Sequence, residues 1–338
     1  MRPPSLEFAL RHALSILLFA FVVVSRAQPL FAEADTTWNE SQFTEEELLH
    51  RYGGIADAVD LDQARALMLD LVNRDRYNLE RLGDLKQDDL AAQVAQAHAE
   101  EMANLRYLGH YDTSGWKAPE RYNAAGGTDV VVENVSYWEV ENFEAYITPQ
   151  VVQDFETRWL KSPGHYRSIM TYEATHLGFG IVLARHGNST VVAAVQLFVV
   201  DRGDFRLLPG RIRRTGAGMP TMQIKGKLRP GVEFFYAAVG VEPVPQPLTP
   251  EYLNTHLAPY ETPEPFAAYL EQVAEGRQRM KNIQTLYTFA IDSASMTVQG
   301  DVILDDGQGS KGLYYVYVFV RDRDGRVYPV MMQTVEVV

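Results

Sequence analysis

The sequence contains no cysteine among its 338 residues. A chain without cysteine forms no disulfide, holds no thiolate metal site and performs no thiol catalysis. Small exported domains usually depend on disulfides, because their hydrophobic cores are too small to stabilise them alone. This chain is long and 46% hydrophobic, so it can bury a sufficient core without them, and its length favours two domains over one.

Basic residues are also scarce. The chain has 31 lysines and arginines against 44 aspartates and glutamates, which gives a formal net charge of -13. An acidic chain with no basic stripe repels a phosphate backbone. We therefore exclude nucleic acid as a partner.

Long hydrophobic runs are absent except near the N-terminus. Two arginines flank the start of an apolar run at residues 13–24, which is too short to cross a bilayer comfortably. Small residues follow, with candidate cleavage positions after Ala27 and Ala34. This layout predicts a secretory signal peptide over residues 1–34, a secreted or cell-envelope location, and no transmembrane segment in the mature chain. An uncleaved membrane anchor is the alternative.

The next part of the chain reads as helices followed by strands. After a polar N-terminal extension at residues 35–61, apolar spacing predicts a helix that includes residues 64–72. A second helix begins at Asp88 or Asp89, and a third at Thr148-Pro149. Residues 109–147 are predicted as loops and short strands. A short helix after Ser162 and two strands, at residues 177–183 and 190–200, complete an α/β unit over residues 62–202.

Beyond residue 202 the pattern changes to β-structure. We interpret residues 203–220 as a linker and residues 221–338 as a β-sandwich of immunoglobulin-like type. Six runs rich in β-branched and aromatic residues support this, at residues 221–228, 232–239, 285–291, 296–304, 313–321 and 327–338. A Pro-rich and helical insertion interrupts them at residues 243–280, with an amphipathic helix predicted over residues 266–280.

One histidine lies at a predicted helix start, in "RWLKSPGHYRSIM". Ser162 is the expected N-cap and Pro163 the first helical residue, so His165 is the third. The positive end of a helix disfavours imidazolium and biases His165 toward its neutral form, which accepts a proton or binds a metal. The simpler interpretation is that His165 fills a turn or bonds a carbonyl.

Two further residues can join it. His110 lies in "YLGHYDTSG", and Glu133 follows three valines that read as a buried strand. A buried carboxylate needs a partner, and it can orient an imidazole ring by accepting its proton. We therefore predict a shared hollow with His110, Glu133 and His165 as catalytic candidates and the two histidines as metal ligands. Ser162 and His176 are further binding candidates, whereas His98 is interpreted as a core residue.

Five fragments, in order, resemble the CAP superfamily of cysteine-rich secretory, antigen 5 and pathogenesis-related proteins, in its bacterial SCP-like branch. They are "ALMLDLVNRDR", "DDLAAQVAQAHAEEMANLRYLGHYDTSG", "VEN", "RWLKSPGHYRSIM" and "THLGFGIVLA", within about residues 62–200. The resemblance implies an α-β-α sandwich and a cleft with two histidines and two acids. Some members bind a divalent cation there. The histidines map to His110 and His165, and one acid maps to Glu133.

The second acid of the family is missing. Its W-x-x-E stretch reads Trp159-Leu160-Lys161-Ser162 here, so Ser162 stands at the acidic position, and Val132 replaces the glycine that usually precedes Glu-Asn. An incomplete acid set disfavours metal binding and, more strongly, catalysis.

The expected fold class is thus α+β: a CAP-type α-β-α sandwich followed by a C-terminal β-sandwich with a helical insertion. The expected function is a secreted binding module whose cleft holds a divalent cation such as zinc, or a small amphiphile or lipid. The β-sandwich would then attach the protein to a cell-envelope or extracellular component. The alternative is a metal-assisted or general-base hydrolase that uses the same cleft. In a third interpretation the β-sandwich carries the function and the CAP unit is a scaffold.

Overall fold

The structure is a computed structural model and describes residues 54–141, 144–214, 218–257, 259–272 and 283–338. The predicted signal peptide, with both of its cleavage positions, and most of the predicted extension lie outside these residues. Within the described part, no helix combines the length and the apolar character needed to cross a membrane.

The first half of the described chain contains a 3-10 helix at Ile55–Asp57, five α-helices and a four-stranded sheet. The helices are α1 Leu61–Glu80, α2 Asp89–Leu105, α3 Ala118–Ala124, α4 Pro149–Lys161 and α5 Pro163–Ile169. The strands are β1 Lys86–Gln87, β2 Val130–Glu141, β3 His176–His186 and β4 Ser189–Val200. Their order in the sheet is β1-β3-β4-β2, antiparallel except for the β1–β3 pair.

The helix starts follow the capping chemistry of the sequence. The Asp88 side chain accepts a hydrogen bond from the Ala91 amide, and Thr148 accepts one from Val151, so two predicted N-caps are confirmed. The loop prediction for residues 109–147 is wrong at α3 and understates β2. The start of α3 lacks a capping side chain at Lys117, which is why it was missed: Glu120 instead accepts from the Lys117 amide at 2.8 Å.

Helices cover both faces of this sheet. On one face α1, α4 and α5 form a core with side chains such as Phe155, Trp159 and Phe198. On the other face α2 and α3 pack against Val131, Val195 and their neighbours. The α-β-α sandwich that the resemblance implied is therefore confirmed.

The second half is a nine-stranded sheet with the order β5-β7-β11-β10-β9-β8-β12-β13-β6. Its strands are β5 Gly203–Phe205, β6 Arg211–Ile212, β7 Thr221–Leu228, β8 Val232–Glu242, β9 Ala267–Glu271, β10 Gln284–Asp292, β11 Thr297–Ile303, β12 Gly312–Asp322 and β13 Val327–Val337. All six predicted strands are confirmed. Within the predicted linker at residues 203–220 the structure has two short strands, β5 and β6, which belong to the sheet. Strands of two or three residues have no readable period in the sequence.

Two other predictions for this half need correction. Residues 267–271 form β9, not a helix, and pair with β8 and β10. Four successive buried residues hide the alternation of a strand, so the helical interpretation was possible. The rest of that predicted helix, residues 273–280, lies outside the described residues. The described helix of the insertion is instead α6, Pro250–Thr255.

The immunoglobulin-like arrangement of two separate sheets is not confirmed. β10 pairs with β9 along its first part and with β11 along its last part, which joins all nine strands into one sheet. Side chains from both ends of the strand order, such as Phe205 and Val318, nevertheless share one core.

The two halves are held together by backbone and side-chain hydrogen bonds. Asn123, near the end of α3, donates to the Met332 carbonyl at 3.0 Å and accepts from the Thr334 amide at 2.9 Å, both in β13. The Tyr315 hydroxyl of β12 bonds both Glu120 of α3 and Glu242 of β8. The last strands thus hold α3, and α3 carries part of the candidate site.

Candidate functional site

The candidate site is built around strand β2. Glu133 and Asn134 are successive residues of this strand, paired with Leu197 and Gln196 of β4. Successive side chains of a strand point to opposite faces of the sheet. Glu133 therefore faces α2 and α3, while Asn134 faces α1, α4 and α5.

Glu133 is held by two partners. Its Oε1 lies 3.0 Å from His110 Nδ1, and its Oε2 accepts from Arg121 Nη2 at 2.5 Å. Glu133 as a whole is 2% exposed. Burial alone would raise its pKa, but the charge of Arg121 and the hydrogen bond from His110 outweigh burial and lower the pKa to about 2. Glu133 is therefore a fully ionised and fully paired carboxylate at neutral pH.

Arg121 is the residue that sequence reasoning missed. It lies on α3, and its Nη1 also donates to the carbonyls of His110 and Trp116, at 3.0 and 2.7 Å. It thus fixes the loop that carries His110 as well as the charge of Glu133. The signal was available in part, since a carboxylate buried behind three valines requires a counter-charge.

His98 and Tyr260 complete this side. His98 Nε2 lies 2.9 Å from the Gly109 carbonyl; burial, followed by the charge of Arg121, lowers its pKa to about 4. It is a neutral core histidine, as predicted. Tyr260 comes from the insertion in the second half, and its ring centroid lies 5.7 Å from that of His110 in an edge-to-face contact.

The opposite face carries a neutral polar network. Asn134 Nδ2 donates to Gln196 Oε1 at 2.9 Å, and Gln196 Nε2 donates to Glu156 Oε2 at 2.7 Å. Glu156 is 1% exposed, and burial raises its pKa to about 8. At neutral pH Glu156 is mainly a protonated carboxylic acid. Glu156 also escaped the sequence reasoning, because a single glutamate on an amphipathic helix reads as a surface residue.

His165 is positioned through this second network. It is the third residue of α5, as predicted, and is fully buried. Its carbonyl accepts from Asn134 Nδ2 at 3.3 Å, and its ring centroid lies 6.4 Å from that of Trp159. Ser162 is the N-cap of α5, but its side chain makes no capping hydrogen bond. The structure therefore joins His110 directly to Glu133, whereas Asn134, the next residue of the strand, holds His165.

His176 lies elsewhere. It begins β3, and its Nδ1 lies 2.9 Å from Thr175 Oγ1 and 4.0 Å from Asp201 Oδ2. Its partners in the described part of the chain are these two residues. The structure does not bring it to the His110–Glu133 pair.

The residues present do not fit a divalent cation. Among the described residues, no three histidine, aspartate or glutamate side chains are arranged to hold one. Both Glu133 oxygens already have partners, and the guanidinium of Arg121 supplies the positive charge that a metal would bring.

Comparison with known proteins finds one matching family profile and several similar solved structures. The sequence profile of the cysteine-rich secretory protein family, CAP, matches residues 69–200. No curated protein matches the chain significantly.

Three similar solved structures are bacterial. An extracellular SCP-domain protein from Bacillus anthracis is 21% identical, covering 46% of this chain and 50% of that one, with a TM-score of 0.33. An outer surface protein from Borrelia burgdorferi is 17% identical over 42% and 96%, with a TM-score of 0.31. The CAP domain of enterococcal PrgA is 18% identical over 45% and 70%, with a TM-score of 0.29. This chain spans about half the length of the Bacillus protein.

Proposed function

We propose that this chain, whose residues 69–200 form a CAP domain, acts outside the cytoplasm as a binding protein and not as a hydrolase. The observation that carries the proposal is the pairing of Glu133 with both Arg121 and His110. A general base works best with a pKa near the operating pH. Glu133, with a pKa of about 2, is too weak a base for this task.

A small amphiphile suits this side of the sheet better than a cation. Tyr111 and Tyr260 lie beside His110, with ring centroids 6.1 Å apart, and aliphatic side chains of α2 lie behind them. Ligand sites for such molecules combine apolar walls with a few fixed polar groups. A zinc ion, by contrast, would have to displace Arg121 from Glu133. Attachment to a cell-envelope component through the nine-stranded sheet stays a prediction.

The hydrolase alternative draws on one of the same contacts. A carboxylate that accepts from His110 Nδ1 can orient the ring so that its other nitrogen takes a proton from water. The 3.0 Å contact with Glu133 favours this alternative. Two features oppose the hydrolase alternative. The ion pair with Arg121 makes Glu133 a weaker acceptor for the His110 proton, and the Tyr260 ring packs against the imidazole.

Three measurements on the purified full chain test the proposal. We expect saturable binding of a fluorescent lysophospholipid, no hydrolysis of p-nitrophenyl acetate or casein above the His110→Ala background, and less than stoichiometric zinc after loading. The matched control is His186→Ala, a histidine at the end of β3 whose Nε2 lies 3.0 Å from the Ala103 carbonyl. Hydrolysis that His110→Ala abolishes and His186→Ala retains would establish the hydrolase instead, and failure of the lipid probe to bind would remove the proposed ligand class.

A further inference from the structure

One segment of the second half reaches back over the candidate site. Residues 246–257 and 259–260 of the insertion, here called the strap, run along the CAP-domain loop at residues 106–117 that carries His110. We infer that the strap is a built-in cover of the His110–Glu133 pair, which a ligand must displace before it can reach His110. The inference rests on the proposed binding function and adds its regulation.

The strap is fastened to the end of α2. Asn254 Oδ1 accepts from the Leu108 amide at 3.0 Å, and Asn254 Nδ2 donates to the Arg106 carbonyl at 2.9 Å. These bonds satisfy backbone groups that the helix terminus leaves open. A second fastening lies further along the loop, where the Leu248 amide donates to the Thr113 carbonyl at 2.8 Å.

The loop is shaped to receive the strap. Gly115 has a φ of +81°, and a Cβ placed on it would lie 2.4 Å from the Gln246 carbonyl oxygen. Only glycine permits both the left-handed conformation and this approach of two backbones. Leu253 of α6 is 1% exposed and belongs to the core on the α2 face of the sheet.

Tyr260 covers the site itself. It is 1% exposed, and its ring lies against His110 and Tyr111. The next residue is also held, since Lys117 Nζ donates to the Glu261 carbonyl at 3.1 Å. The phenol ring therefore occupies the place beside His110 that the ring or chain of an amphiphile would take.

In the proposed opening of the strap the nine-stranded sheet stays intact. Its flanks are fixed in strands, because β8 ends at Glu242 and β9 begins at Ala267. Between them, α6 has six residues and only Leu253 of it is buried, while Tyr252 is 45% exposed. Segments with few buried contacts open locally at a lower free energy than the whole protein.

The test measures access to His110 and needs no natural ligand. Full-length protein, Tyr260→Ala and the control Tyr77→Ala, at an exposed tyrosine of α1 outside the strap, are treated with diethylpyrocarbonate, and modification of each histidine is followed by mass spectrometry. We expect His110 to react at least about tenfold faster in Tyr260→Ala than in the other two proteins. Added p-cresol, the free side chain of tyrosine, should restore its protection. His256, at the exposed end of α6, is the internal reference.

Two results would contradict the proposal that the strap covers His110. One is a His110 that reacts as fast as His256 in the unchanged protein. The other is a folded Tyr260→Ala variant in which His110 stays as protected as before. If Tyr260→Ala does not fold, hydrogen exchange of the unchanged protein decides: the Leu248 and Leu253 amides must exchange faster than those of β4, and equal protection rejects the strap. Normal labelling results with no lysophospholipid binding would reject the proposed function alone.

Discussion

Glu133 and Glu156 are two buried carboxyl groups on opposite faces of one sheet. At neutral pH Glu133 is ionised, whereas Glu156 is mainly protonated and uncharged. Their exposed fractions are 2% and 1%, so burial alone would raise the pKa of both carboxyl groups. Glu133 has Arg121 as a partner and a pKa of about 2, whereas Glu156 has the amide of Gln196 and a pKa of about 8. The partner, not the depth of burial, decides which carboxyl stays ionised.

The two faces of the sheet also separate the two histidines, His110 and His165, that the sequence analysis predicted to share one hollow. We call the side of the sheet that carries Glu133 and Arg121 the ionic face, and the side that carries Asn134 and Glu156 the neutral face. His110 contacts Glu133 on the ionic face, and the His165 carbonyl accepts from Asn134 on the neutral face. A site that uses both must therefore combine groups from both sides of β2, the edge strand of the sheet.

The largest expected effect on stability comes from removing the Arg121 guanidinium beside Glu133. Arg121→Met leaves Glu133 as a buried charge with only a histidine partner, and we expect the free energy of unfolding at neutral pH to fall by about 3–5 kcal/mol. Urea denaturation measures this. The control Arg185→Met removes an ion pair with Glu144 whose side chains are 63% and 59% exposed, and should cost less than about 1 kcal/mol.

The double variant Arg121→Met/Glu133→Gln sharpens the comparison. Without a charge to compensate, the ionic face resembles the neutral one, and a large part of the lost stability should return. Equal losses for Arg121→Met and Arg185→Met would show that Glu133 does not depend on Arg121.

A second effect tests how closely the ionic face is packed. A Cβ on Gly180 of β3 would lie 2.4 Å from the Gln96 amide nitrogen in the backbone of α2. Gly180→Ala must push α2 away from the sheet, so we expect a loss of about 3 kcal/mol. Gly83→Ala is the matched control, because nothing lies within 4 Å of its Cβ position. Thermal unfolding of the two variants should differ clearly, and indistinguishable midpoints would contradict this packing.

The smallest expected effect is the pH dependence of stability that Glu156 contributes. Because the pKa of Glu156 rises from 4.5 to about 8 on folding, its protonated form stabilises the protein fully below pH 4.5. That contribution is lost as the pH rises through about 8. Glu156→Gln has no proton to lose, so its stability relative to the unchanged protein should rise by about 2 kcal/mol between mildly acidic and alkaline pH. Urea midpoints across this range measure it, and parallel curves for both proteins would show that Glu156 is already ionised.

The sequence predicted what local chemistry determines. The caps Asp88 and Thr148, the break at Pro163 and the six longer strands follow from residues close together in the chain, and the structure contains them. The need of Glu133 for a partner also followed from its valine neighbours.

What the sequence could not predict depends on distant residues. Arg121 was missed because α3 begins without a capping side chain and has only seven residues. β9 was mistaken for a helix because its first four residues are all buried, which hides the alternation of a strand, and its pairing with β8 and β10 leaves no local signal. Tyr260 reaches His110 from the other half of the molecule, and no pattern around either residue records that contact.

The strap has a consequence for the order of assembly during synthesis. Leu253 and Tyr260 complete the core beneath α2, although the match to the CAP family profile ends at residue 200. The core on that face of the sheet is therefore complete only after residue 260 has been synthesised. A fragment ending at residue 202 would lack both side chains and would leave the apolar residues of α2 that they cover exposed to solvent.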